Sequence, residues 1–206
     1  MQMVIYSNDV NIREKSRLIL SDPAIKNPKY YKLNDTFICV MGLRSIETSK
    51  IGNFITRIQK LSFEGVSIQT INARAAYGID HLLGVLKITL ECQKRNLTLT
   101  MKPEMELLLR LSLTNQISLA LNHAGLNTNH PLIIIIHSTT KRKVYHVRKR
   151  IMKTFPNLDN SVIKIDKESR DHIFRLILAN KRNQLSHRDD NFITQYLIER
   201  SALIIK

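Results

Sequence analysis

The side chains that most often carry catalysis are present here but do not form a pattern. His81, His123, His130, His137, His146, His172 and His187 are scattered through a chain of 206 residues. No two stand four apart on one helical face, and there is no His-Glu-x-x-His, so the spacing that seats a catalytic zinc is missing. Also missing are a Gly-x-Ser-x-Gly nucleophile turn and the two glycine-rich phosphate loops, Gly-x-x-x-x-Gly-Lys-Ser/Thr and Gly-x-Gly-x-x-Gly. Glu104 and Glu106 are two apart in a helical stretch and point in different directions, so they cannot act as facing carboxylates. Asp189 and Asp190 precede a helical pattern, where acids stabilise the dipole. No catalytic residue, metal ligand or cofactor site is expected from these residues.

The cations do form a pattern. Lys and Arg number 32 against 17 acids, for a formal net charge of +15. A compact domain with that imbalance repels itself unless a polyanion is near, and nucleic acid is the first such partner to consider. Half of the basic residues lie from Lys141 onward, and in Lys141 to Lys153 (KRKVYHVRKRIMK) seven of thirteen are Lys or Arg. Beside Tyr145 and His146 they suit phosphate contacts with a stacking surface. The same run also reads as the solvated face of a helix with Val144, Val147, Ile151 and Met152 turned inward. The two readings are compatible. Cys39 and Cys92 each sit in an apolar run and are expected as reduced core thiols. No apolar run reaches spanning length, and no signal-peptide pattern opens the chain, so a cytoplasmic protein without a membrane partner is expected.

The elements that must position these residues follow from hydrophobic period. Pro23 and Pro28 break the first thirty-five residues, which are left unplaced. Thr36 to Gly42 and Val66 to Ile71 predict strands. Ser49 to Phe63 predicts a helix, with Gly65 as its stop. Asp80 is placed as the cap of a helix through Leu90, Pro103 in the first turn of a leucine-rich helix, and Asn115 as the cap of a helix ending at Gly125. Leu132 to Ile136 is apolar on both faces and predicts a central strand. Val162 to Ile165 is read as a short strand, and Glu168 to Asn180 and Asp189 to Ile205 as helices. Strands interleaved with helices give one α/β (α+β) domain over 1–206, with a small mixed sheet of four or five strands.

Two stretches carry a resemblance. INARAAYGIDHLLGVLKITLE, from Ile71, and LTMKPEMELLLRLSLTNQISLALNHAGL, up to Leu126, resemble the small accessory subunit family of the KEOPS complex, whose human member is called the PRPK-binding protein. YLIERSALIIK resembles that family's C-terminal helix and strand-like tail. The chain looks like an archaeal-type member with an extended C-terminal half, and 140–188 is a basic segment without a clear counterpart.

The resemblance implies a non-catalytic subunit that binds the kinase-like ATPase subunit of KEOPS and, through it, joins the threonylcarbamoyl transferase subunit. It also implies a hold on the single-stranded 3′ CCA end of tRNA while the complex installs threonylcarbamoyladenosine. The matching stretch offers Arg74, His81, Lys102, Arg110, Asn115 and Gln116 to the RNA. Charge alone adds Lys141, Arg142, Lys143 and Arg148 as backbone contacts. Leu108, Leu111, Ile117 and Leu121 are the candidate partner surface, although burial in the fold competes for the same leucines. Two other classes stay open: an RNA-processing enzyme with an unrecognised site, and a purely architectural adaptor.

Overall fold

The computed structural model describes residues 29–204 apart from 45, 47–49, 128–129 and 156–157, so the opening segment with Pro23 and Pro28 and the end of the expected tail lie outside the described residues. Strands β1 (Lys29–Leu33) and β2 (Thr36–Leu43) form a hairpin. Asn34 turns it at φ +52°, a conformation that Asn tolerates better than most residues. Helix α1 (Ile51–Leu61) leads to β3 (Ser67–Asn72), a 3-10 turn at Ala73–Ala75, and α2 (Gly78–Lys94). Helices α3 (Pro103–Leu111) and α4 (Ile117–Ala124) precede β4 (Leu132–Ser138) and α5 (Lys141–Thr154). The chain closes with α6 (Lys167–His172), α7 (Arg182–Leu185) and α8 (Asp190–Ala202).

The sheet order is β1-β2-β4-β3. It has four strands in an α+β domain, as expected, and its pairings are antiparallel throughout rather than mixed. Leu132 to Ile136 fills the central β4 and is almost wholly enclosed, because both faces of the sheet are covered. Period-two alternation sorts the side chains between those faces. Ile38, Val40, Ile71, Ile133 and Ile135 meet α2, α3 and α4. Cys39, Met41, Ile134 and Ile136 meet α1 and α5. A third cluster, Tyr77 with Ile173, Phe174, Leu185, Ile193 and Leu197, roots the C-terminal helices.

Several boundaries differ from the sequence reading. β1 falls in the stretch left unplaced. Val162 to Ile165 is not a strand. Asn160–Ile163 forms a 3-10 turn capped by Asp159, whose side chain accepts from the Ser161 N–H, and only Leu158 bridges to Leu43. The helix expected over Glu168 to Asn180 is broken. α6 runs into a π turn at Ile173–Ile177 and a 3-10 turn at Ala179–Lys181, which swings Ile173 and Phe174 into the third cluster. Asp80 lies in the first turn of α2, not at its cap, because the helix begins two residues earlier at Gly78. Gln116, not Asn115, caps α4.

Candidate partner and nucleic-acid surfaces

Helix α4 rests on two small residues. Ala120 and Ala124, one turn apart, are buried against the core, while Ile117, Leu119 and Leu121 are 48%, 40% and 50% exposed. Large apolar side chains displayed together on one short helix mark an interaction surface more often than a solvated one. Ile117 and Leu121, offered to a partner on sequence, are both exposed and lie on one row of the helix. Leu119, not named there, is out of phase with them and is exposed by the shallow seating of α4.

The leucines of α3 do the opposite. Leu108 is 7% exposed and Leu111 fully buried, so neither offers itself to a partner. Both belong to the cluster under the sheet. More side chains of α3 are apolar than one face needs because the helix is enclosed nearly all round.

Arg110 is also internal, at 1% exposure beside the fully buried Glu106. Its Nε and Nη2 donate to Glu106 Oε1 at 2.8 and 2.7 Å, and Nη1 donates to the Ser201 carbonyl on α8 at 2.7 Å. Glu106 Oε2 accepts from the Leu99 N–H at 2.7 Å. With its charge paired and its donors engaged, Arg110 is a structural strut and not an RNA contact. His81 is likewise removed from the RNA surface, since it is fully buried. Its Nδ1 accepts from the Tyr77 N–H at 2.9 Å, and burial pushes the imidazole pKa down to about 3, so it stays neutral.

Arg74 sits on the 3-10 turn after β3, which Asn72 caps, and pairs with Glu168 on α6. Its side chain is one quarter exposed. His123, His130 and His172 gather around this turn. The His172 Nε2 meets the His123 carbonyl at 2.9 Å, and Arg74 helps to hold His130 and His172 below the usual histidine range, after burial. Arg74 Nε, His123 Nδ1 and His130 Nδ1 are buried without a partner among the described residues. Sequence spacing gave no hint of this grouping, because three separate loops and helices supply it.

Lys102 and Gln116 are exposed, but they flank opposite ends of α3. Asn115, also exposed, is next to Gln116. A cleft of about 640 Å³ opens beside the Tyr77-Gly78 loop. Asp80, Asp159 and Asp190 line it beside Lys29 and Lys164, and two of the carboxylates are already paired, Asp159 with Arg44 and Asp190 with Arg170. At its base the Tyr77 hydroxyl lies between Asp190 and Arg170.

Lys141, Arg142, Lys143 and Arg148 lie on α5, as expected, with Val144, Val147 and Ile151 turned inward. Lys141 and Arg142 are exposed. Lys143 donates to the Glu64 carbonyl at 3.0 Å, and Arg148 lies over the rings of Tyr30 and Tyr145 at 5.6 and 5.7 Å. These four residues therefore lie across the sheet from α4, and the two predicted RNA groups do not form one patch.

A family model described as kinase binding protein CGI-121 matches residues 59–200. The chain belongs to this family. The match bears out the resemblance to the KEOPS small subunit, and its span runs through 140–188. Comparison with curated proteins finds no match. No helix of the described residues is long and apolar enough to cross a membrane. Among the same residues, no group of three or more His, Cys, Asp or Glu is arranged to hold a metal ion.

Proposed function

We propose that this chain is the accessory subunit that docks on the kinase-like ATPase of a KEOPS complex through α4, and that it recruits tRNA by its 3′ CCA end. The observation carrying the docking half is the row Ile117–Leu121, displayed in a family described as kinase-binding. Burying such side chains on association is favourable. The transferase subunit is joined through the kinase-like subunit, and this chain contributes no catalytic group to threonylcarbamoyladenosine synthesis. A cytoplasmic setting follows from the tRNA substrate.

For the RNA end, Arg74, Lys102, Asn115 and Gln116 are retained. An unpaired CCA end has bases free to splay and phosphates open to guanidinium and ammonium groups. The partnerless polar atoms around Arg74 support a ligand at that turn. Arg110 and His81 are not part of it.

Two measurements test the halves separately. Ile117→Asp with Leu121→Asp should weaken binding to the purified kinase-like subunit by roughly thirty-fold or more, the loss that accompanies a single hot-spot residue. Undiminished binding places the interface elsewhere. Filter binding of intact tRNA against tRNA trimmed of CCA, at low and moderate salt, tests the second half. Equal binding to both removes the CCA assignment and leaves the docking role standing.

A further inference from the structure

Helices α1 and α5 form one antiparallel layer over the sheet face opposite α4. They are joined by Phe54 against Phe155 at 5.0 Å and by the Lys143 ammonium on the Glu64 carbonyl. Neither helix contains a single Asp or Glu. Their exposed positions instead carry Arg57 and Lys60 on α1, and Arg142, Lys149, Arg150 and Lys153 on α5. Among the described residues, no carboxylate pairs with any of these six. The helices of the opposite layer mix signs, with Asp80 and Glu91 on α2, Glu104 and Glu106 on α3, and Glu199 on α8.

This arrangement works against the layer's own stability. The first turn of α5 is Lys141-Arg142-Lys143 with no acid, so three cations face the positive end of the helix dipole. Lys149 and Lys153 then stand one turn apart as like charges. Natural sequences break such local rules mainly where function requires it. Arg142, His146, Lys149 and Lys153 fall on one row, at intervals of four, three and four residues, which extends about 16 Å along α5.

We propose that the α1–α5 layer is a second RNA surface, which holds the phosphate backbone of a base-paired RNA segment without reading its sequence. It rests on the reading of this chain as an RNA-binding subunit, but not on the CCA assignment. The outer faces of the two helices present cations to the phosphates of a duplex, and the half-exposed Tyr145 ring is already met by the Arg148 guanidinium and the His146 ring, so a splayed base finds no free stacking platform there. The layer lies across the sheet from Ile117 and Leu121, so RNA and the kinase-like partner bind at once.

The test uses the full chain and a blunt RNA hairpin that lacks any single-stranded tail. Wild type binds the hairpin with an affinity that falls steeply with salt. Arg142→Gln with Lys149→Gln weakens it about tenfold and lowers the log–log salt slope by about two, one for each phosphate contact removed. Lys141→Glu raises the melting temperature while it weakens hairpin binding, a pairing that misfolding cannot produce. No hairpin binding by wild type, or an unchanged slope in the double variant, overturns the proposal. So does equal affinity for an acidic peptide of matched charge. Loss of CCA dependence with hairpin binding intact removes only the earlier CCA reading.

Discussion

Replacing Glu106 with Gln keeps the shape of the α3 core and removes one charge. The Arg110 guanidinium, 1% exposed, is then left without a counterion and cannot shed its proton. Breaking a buried pair from one side costs about 3–5 kcal/mol, a large part of the 5–15 kcal/mol that holds a domain folded. In a chain of this size that loss lowers the melting temperature on the order of 10 °C. Arg110→Met costs less, because an isolated carboxylate can neutralise by taking up a proton. The double substitution Glu106→Met with Arg110→Met recovers most of the loss, since apolar side chains of similar volume fill the site. Urea unfolding of wild type, Glu106→Met, Arg110→Met and the double variant completes the cycle, with Glu106→Gln measured beside them. The reasoning is refuted if Glu106→Gln loses less than about 1 kcal/mol, or if the double variant is no better than the worse single one. Hairpin and tRNA binding of the double variant should match wild type. If it folds normally yet loses tRNA, Arg110 is an RNA contact after all.

Three further outcomes are expected. His81 is neutral in the fold down to pH about 3 but titrates near 6.5 once unfolded, so the unfolded state binds the extra proton between those values. Stability should therefore fall as the pH drops below 6.5, by up to about 1.4 kcal/mol per pH unit from this group, and His81→Gln should flatten that limb of a urea-midpoint profile. At Gly84→Ala the new Cβ would lie 2.7 Å from Ile198 Cγ1, where α2 meets α8, and overpacking should cost about 1–3 kcal/mol by thermal melting despite alanine's better helix propensity. Tyr77→Phe removes the hydroxyl shared by Asp190 and Arg170 and should cost about 1–2 kcal/mol while leaving the circular dichroism spectrum unchanged.

What the sequence determined is local or periodic. The run Leu132 to Ile136 could only be a strand covered on both sides, Pro103 could only open a helix, and Val144, Val147 and Ile151 fixed which side of α5 turns inward. The density of cations in Lys141 to Lys153 was also plain, because charge does not depend on folding. The β1 strand was hidden, since KYYKL is short and its pairing with β2 rests on one two-residue turn. Tertiary structure decided which polar residues are usable. Arg110 and His81 carry the side chains an RNA site wants, yet packing of α3 against α8 and of the Tyr77 loop on α2 encloses both. Leu108 and Leu111 are as apolar as Ile117 and Leu121, and only the small contact at Ala120 and Ala124 leaves the second pair exposed. Burial depends on what arrives from distant parts of the chain, and no local spacing records that.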